Sequence, residues 1–465
     1  MPAKYVIHHK TAKPRFRPIG KLGIVEWRED CAGCHNCVKR DCVYRLYRDE
    51  ADILRDDVGY LEYIYQCKGC LNCVQNCTKN ILTRVVNPEF RRLGDAYYSP
   101  DLILSTWYQA ETGKIPVSGA GYGGPFSGPG FDSIWTDMSE IVRPTRDGIH
   151  GREYISTSVD IGRKLPHLEF ENGRLKVDPP PLAEIPLPVI FDRIPPHWNR
   201  GAVTAAVAAA AAEIGTLAIL EEAGLREGGA SVRGHAIPLL AASRAATANP
   251  AEAAMVVMIP DGPDAMAVQE ALKREHPARI VVTRIPAAPD VAGRVADLAR
   301  DGADAIQLTF DRHGREQGAV RPRHMRDVLR DTHTTLVRKG IRDEVTLIAS
   351  GGIAAAEHVA KAIICGADMV AIDVPLILAL ECRLCGECER GRQCPIALEE
   401  IDTGFGARRM VNLMAAWHSQ LLEMLGAMGI REVRRLRGET GRCMFFEDLE
   451  RETFGRWFGK RTTDS

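Results

Sequence analysis

The sequence predicts an α/β chain: a barrel of parallel strands and helical crossovers, with a small cysteine-rich α+β module before it and helices after it. Three observations carry this. From about Leu187, short apolar runs alternate with helix-period stretches, the pattern of parallel strands joined by helices. Eight cysteines between Cys31 and Cys77 form two copies of one motif. A third cysteine motif, Cys382 to Cys394, comes directly after the last apolar run.

The first motif is Cys31-Ala-Gly-Cys34-His-Asn-Cys37 followed by Cys42, and the second is Cys67-Lys-Gly-Cys70-Leu-Asn-Cys73 followed by Cys77. Three thiolates at i, i+3 and i+6 on one loop reach three corners of a cubane, and the fourth cysteine of each run ligates the other cluster. The expected sets are Cys31, Cys34, Cys37 and Cys77 on one [4Fe-4S] cluster, and Cys67, Cys70, Cys73 and Cys42 on the second. Zinc and disulfides are the competing uses of C-x2-C pairs, but zinc sites seldom use three cysteines at successive x2 spacings twice over. Residues 1–84 thus resemble a bacterial two-cluster ferredoxin domain, with a longer spacer before Cys42 and with Val43 and Thr78 in place of the usual proline.

Residues 85–186 are rich in glycine, proline and aromatics, and are expected to wrap a neighbouring domain in turns rather than in regular elements. Residues 187–381 carry the strand runs PVIF, TLAIL, MVVMI, RIVVTRI, ADAIQLTF, VTLIAS and ADMVAIDV, each but the last followed by a helical or turn stretch. About eight strands fit this length, which favours a (β/α)8 TIM-like barrel over an open sheet. Barrel chemistry sits at the carboxyl ends of the strands, so Gly351 and Gly352, ending the seventh, are candidates for a phosphate-binding turn. Residues 382–398 form the third cluster loop, with Cys382, Cys385, Cys388 and Cys394 as ligands, and 399–465 a helical extension.

Composition narrows the function. Lys+Arg 60 against Asp+Glu 61 gives a net charge of −1, which excludes a general nucleic-acid binder. Of 14 cysteines, only Cys365 and Cys443 lie outside the motifs, and clustering of this kind, with no secretory segment after Met1, points to a reducing cytoplasm. The alanine-rich run Ala202 to Leu220 contains Glu213 and is read as a buried helix and strand, not a membrane span.

From about Val142 to Gly438 the chain resembles the FMN-binding synthase domain of glutamate synthase, through VDIGRK at 159–164, HTTLVRKGIRDEVTLIASGGI at 333–353, the stretch from Gly366 to Cys394-Pro395, and an amphipathic helix near Val411 to Met428. The resemblance implies FMN in the barrel and a [3Fe-4S] cluster on three of the four cysteines of the third loop; Cys385 is extra and would complete a [4Fe-4S] cube. It departs where the family contacts flavin and 2-oxoglutarate. The first turn reads FDRIPPHW, the family's lysine falls on Thr283 or Arg284, the glycine-rich substrate loop reads DRHGREQGA, and Asp373 stands near the phosphate position. Arg284, His313 and Arg315 are the remaining candidate catalytic residues, with His35 and His150 behind them. At about 4 Å and an effective dielectric near 20, each unit charge of an FMN phosphate would cost about 4 kcal/mol against Asp373.

The expectation is therefore an iron–sulfur electron-transfer subunit of a larger redox complex, with FMN weakly held, partnered by other redox subunits as donor or acceptor. An FMN-dependent oxidoreductase reducing an imine with electrons from the clusters is the alternative. Three cubanes require roughly 12 iron per chain. Anaerobic iron and sulfide analysis is expected to return that stoichiometry; stoichiometric zinc would overturn the cluster assignment.

Overall fold

The computed structural model describes residues 5–16, 19, 21–25, 71–80, 84–116, 130–136, 154–221, 225, 234–240 and 254–459. Eight parallel strands run in chain order around a ring: β1 (Val189–Phe191), β2 (Ala218–Leu220), β3 (Ala236–Pro238), β4 (Val256–Pro260), β5 (Ile280–Pro286), β6 (Ala305–Thr309), β7 (Thr346–Ser350) and β8 (Met369–Ile372). β1 pairs with both β2 and β8, so the two halves of the ring meet through the first strand. The ring closes between β3 and β4, where Leu239 pairs with Met258 and the Leu240 N–H donates to the Met258 carbonyl at 2.9 Å. The barrel expected from the sequence is thus present.

Seven strands match the apolar runs, and β3 is not among them. His235-Ala-Ile-Pro238 is too short to show a period, and its proline removes a ladder donor. β6, β7 and β8 are buried at every position, which is why they read as mainly apolar runs instead of alternating ones, with Gln307 the conspicuous polar exception.

The helices that pack on and beside the ring include α1 (Pro100–Thr112), α2 (Gly201–Ile214), α3 (Ala265–Glu275), α4 (Val291–Arg300), α5 (Met325–Arg338), α6 (Ala356–Ile364), α7 (Val374–Ala379) and α8 (Thr403–Ala427). α2 to α6 come after strands as crossovers. α1 corrects the expectation of turns alone in 85–186. Ser99 caps it by accepting from the Leu102 N–H, Pro100 opens it, Gly113 ends it with φ 69°, and Leu102, Ile103, Leu104 and Ala110 are buried beneath it. The sequence signals for a helix were there, obscured by the glycine-rich stretch after it.

α8 begins earlier than the resemblance placed it, because Asp402 accepts from the Phe405 N–H at 2.7 Å and caps it. It lies along the alanine-rich α2. A Cβ on Gly406 would stand 2.8 Å from Ala206 Cβ, so small residues on both helices set the close approach. The alanine run is therefore a packing face, and among the described residues no helix is long and apolar enough to cross a membrane.

Two polar residues of α8 fasten three other segments to the barrel. Arg409, 1 % exposed, donates to the carbonyls of Ala379 (2.5 Å), Ala12 (3.2 Å) and Trp107 (3.4 Å) and lies 4.0 Å from Glu381. Asn412 exchanges bonds with the backbone of Lys10 and donates to the carbonyls of Ala110 and Glu111. Removing a buried cation leaves its partners unsatisfied, at a cost of about 3 to 5 kcal/mol. Arg409→Met is expected to lower stability by that order, read from the shift in urea midpoint against the parent protein.

Candidate active site at the barrel mouth

Three polar side chains converge inside the carboxyl end of the barrel, from three strands. Asp192 comes directly after β1, Arg284 is in β5 and Gln307 is in β6, level with Arg284 in the parallel register. Arg284 Nη1 donates to Asp192 Oδ1 at 2.6 Å and to Gln307 Oε1 at 3.3 Å, and Gln307 Nε2 donates to Asp192 Oδ2 at 3.3 Å. Asp192 is 4 % exposed and Gln307 fully buried, while the Arg284 side chain keeps 22 % of its surface open to the mouth. The guanidinium is thus oriented from below and offers charge above.

Asp373 comes directly after β8 on the same rim. Its carboxylate accepts from the Val374 N–H at 2.6 Å, capping α7. Burial, and then the neighbouring Asp192 charge, push the Asp373 carboxyl up to about 6, with Arg284 opposing them. Part of the population is neutral near neutral pH. This lowers the repulsion expected against a bound phosphate.

The glycine turn after β7 has a second reason for its glycines. Gly351 and Gly352 have φ 90° and 68°, and a Cβ on Gly352 would collide with the Gly314 nitrogen. The loop after β6 therefore lies directly on this turn. Tyr97 OH donates to the Gly352 carbonyl at 2.5 Å, and its ring packs 5.6 Å from that of His313. His313 in turn bonds Asp95 at 2.9 Å. Although burial raises it, the bond to His313 and the N–H groups of Tyr97 and Tyr98 hold the Asp95 carboxyl below its usual value. The neighbouring Tyr98 is fully buried, its hydroxyl finds no hydrogen-bond partner among the described residues, and after burial itself Asp373 is the strongest influence raising its pKa.

The segment Gly94–Tyr98 leads from this rim to the third cysteine loop, where the Gly94 N–H donates to the Arg383 carbonyl at 3.1 Å. The loop turns tightly at Glu381, Leu384 and Gly386, all with positive φ. Cys382 is buried, Cys385, Cys388 and Cys394 are half-buried, and none of the four forms a disulfide among the described residues. Burial pushes the Cys382 thiol up, and Cys388, Cys394 and Cys385 all act on it electrostatically. The Leu384 N–H points to Cys382 Sγ at 3.5 Å. Trp198, from the turn after β1, brings its indole N–H near enough to Cys388 to oppose the rise that burial imposes there, without a formed hydrogen bond. Among the described residues, no three His, Cys, Asp or Glu side chains converge on a point that would hold a single metal ion. A cubane keeps its ligands farther apart than one ion does, and four soft thiols on one turn with a backbone donor to sulfur fit it in chemistry.

Of the residues singled out from sequence, the structure places Arg284 at the centre of the mouth and His313 on its rim. Arg315 turns outward, donating to the Pro322 carbonyl. Asp192, Gln307, Tyr97 and Tyr98 were missed; a polar residue inside an apolar strand, as in AIQLT, was the available signal for Gln307. Cys31, Cys34, Cys37, Cys42, Cys67, Cys70, His35 and His150 lie outside the described residues. Cys73 falls in a short helical turn, Asn72–Gln75, and Cys77 is buried.

The model of a conserved region in glutamate synthase matches residues 266–431, a span holding Arg284, Gln307, the glycine turn, Asp373 and the third cysteine loop. The archaeal-type glutamate synthase (NADPH) of Thermotoga neapolitana is 30% identical over 483 residues, covering 88% of this chain and 91% of that protein. The archaeal glutamate synthase (NADPH) of Archaeoglobus fulgidus is 28% identical over 511 residues, covering 93% and 96%. Among solved structures, a mandelate oxidase variant with an FMN adduct aligns with a TM-score of 0.41 at 16% identity, over 74% of this chain and 91% of the other.

Asp373 supplies a pH test of the mouth. Its folded pKa is raised, so its contribution to stability is fully present below about pH 4 and is lost as pH rises through about 6. Asp373→Asn can still cap α7, and is expected to be the more stable protein at about pH 8 by on the order of 2 kcal/mol, with the gap shrinking toward about pH 5. Urea denaturation across that range reads it out; a gap independent of pH would contradict the assignment.

Proposed function

Since the chain belongs to the archaeal-type glutamate synthase family, we propose that it is an FMN-dependent oxidoreductase that reduces an imine formed from a 2-oxo acid, with electrons delivered through its iron–sulfur clusters. The observation that carries this reading is Arg284, held by Asp192 and Gln307 at the centre of the barrel mouth, in the strand where the family's lysine falls on Thr283 or Arg284. When bound, FMN supplies a hydride to the carbon of the acceptor. A fixed cation under the ligand favours the negative charge that accompanies reduction, and it meets a substrate carboxylate bidentately if it faces one. Asp192 and Gln307 keep that cation from swinging to solvent. Asp373, with its carboxyl pushed up to about 6, is the rim group that can give a proton to the imine nitrogen from the minority of molecules in which it is protonated near neutral pH. Tyr98 adds a buried hydroxyl that has no acceptor among the described residues.

The twelve motif cysteines are proposed to hold three [4Fe-4S] clusters, the third with [3Fe-4S] as its alternative state, and Cys382, Cys385, Cys388 and Cys394 are its proposed ligands. The sequence shows no nicotinamide-binding fingerprint, while the relatives are named for NADPH. The proposal is therefore a complex in the cytoplasm in which a partner redox subunit delivers the electrons.

A second reading is favoured by one observation. The Cβ position of Gly352 is filled by the backbone of the β6 loop, so the glycine turn has a packing role without any phosphate. In this reading the barrel is a scaffold, the flavin contacts have been lost, and the chain is the iron–sulfur electron-transfer subunit of the complex.

Flavin content separates the two. Acid extraction of the full chain purified without oxygen is expected to release one FMN per chain, and Arg284→Ala to retain less of it than Arg284→Lys does. Extraction that releases none from intact, iron-replete protein would overturn the enzyme reading in favour of the scaffold.

A further inference from the structure

We propose that Cys365 and Cys443 form a thiol modification site, at which a low-molecular-weight disulfide converts the pair into a bridge between α6 and the strand Cys443–Phe445. Neither residue takes part in the proposed cluster or flavin sites; they are the only cysteines outside the three motifs. Far apart in sequence, they come together in the fold. Cys443–Phe445 pairs antiparallel with Ile134–Thr136, Cys443 opposite Thr136 and Phe445 opposite Ile134. Successive side chains of a strand leave on opposite faces, so Met444, 51% exposed, points outward, while Phe445 is buried and Cys443 half-buried on the inner face. Arg330 of α5 lies 4.0 Å over the Phe445 ring, and Lys361 of α6 donates to the Phe131 carbonyl at 2.8 Å, just ahead of Ile134. The inner face of this small sheet therefore meets α5 and α6. Cys365 is the C-cap of α6, one turn after Lys361 on the same face, and is 1% exposed in the core against which Cys443 packs. The chain leading to Cys443 passes the same helix end, where the Gly438 N–H donates to the Ile363 carbonyl at 3.4 Å.

The electrostatics agree with that placement. Burial pushes the Cys365 thiol up, Arg330 opposes the rise and Cys443 adds to it. Burial pushes the Lys361 ammonium down, against Glu357, Asp132 and then both thiols, so one cation acts on the pair and favours its thiolates. Unequal exposure sets the order of the reaction. The Cys443 thiolate attacks one sulfur of the small disulfide, whose S–S bond breaks, and one thiolate leaves. Cys365 then attacks the Cys443 sulfur of the mixed disulfide, that bond breaks, and the second small thiol departs. Two protein thiols are oxidised, one small disulfide is reduced to two thiols, and the proton of each cysteine ends on a small thiol. The bridge closes a loop that holds β8, the third cysteine loop and α8, and so restrains the unfolded chain. In a reducing compartment the thiols are the resting form, and the bridge reports a rise in the disulfide fraction.

The test uses the full chain, purified anaerobically with its iron and equilibrated in glutathione buffers that run from fully reduced to mainly disulfide. Each sample is quenched with an alkylating reagent and mapped by mass spectrometry of its peptides without reduction. In the wild type, the peptide pair joining Cys365 to Cys443 is expected to become the major form as the disulfide fraction rises, and to disappear on re-reduction. The urea midpoint is expected to shift upward with it. Cys365→Ala is expected to stop at the glutathione adduct on Cys443, while Cys443→Ser takes neither adduct nor bridge and loses the midpoint shift. Wild-type protein in which both residues alkylate throughout the series, in which Cys443 holds the adduct without bridging, or in which only motif cysteines pair, would overturn the inference. The wild type carries this test even if the buried Cys365→Ala does not fold.

Discussion

The closure of the sheet between β3 and β4 is the constraint on which the rest of the molecule depends. Most strands meet through a regular parallel register, but β1 meets β2 at the single pair Phe191–Ala218, and this seam rests on the Leu239–Met258 bridge and the bond from Leu240. Without it the sheet would present two free edges, and the three strands that supply Asp192, Arg284 and Gln307 would not face a common centre. The buried network at the mouth also acts back on the seam: Arg284 Nη1 reaches within 4.0 Å of Met258 Sδ, the residue that makes the closing bond. Barrel geometry and mouth chemistry are therefore coupled through one side chain.

The long strands were legible because burial on both faces writes them mainly in apolar residues, and β6 to β8 are clear cases despite Gln307. β3 was not, since three residues ending in proline carry no period. α1 shows a different failure. Its cap, its opening proline and its terminating glycine are all ordinary signals, yet the composition of the surrounding hundred residues outweighed them in the reading. At the site, Arg284 was visible as a charge inside an apolar strand, and His313 through its loop. Tyr97 and Tyr98 could not have been placed from sequence, because what makes them part of the mouth is the path of a segment that starts on another part of the chain and crosses to the rim by tertiary packing.

The electrostatics of the mouth also differ from what a residue-by-residue reading gives. Taken alone, Asp373 is a negative charge at a phosphate position. In the folded chain it shares a low-dielectric rim with Asp192, and the two carboxylates compete for one guanidinium. Asp192 holds Arg284 at 2.6 Å, and Asp373, buried beside that charge, keeps its proton longer. A site that reads as hostile to an anion in sequence is thus a site whose charge depends on protonation and on what occupies it.

The path of Gly94–Tyr98 has a consequence for anyone who would treat the cysteine-rich N-terminal part as an exchangeable cassette. A splice near residue 84, where the motif-bearing part of the sequence ends, would cut a segment whose continuation touches the third cysteine loop at Gly94, the β6 loop at Asp95 and the β7 turn at Tyr97. At the other end, residues 10–15 are laced to α8 and to Glu381. A working chimera would have to carry its own version of both stems through α1, together with the loop they land on. The unit of modular exchange in this chain is consequently larger than any single domain that its sequence outlines.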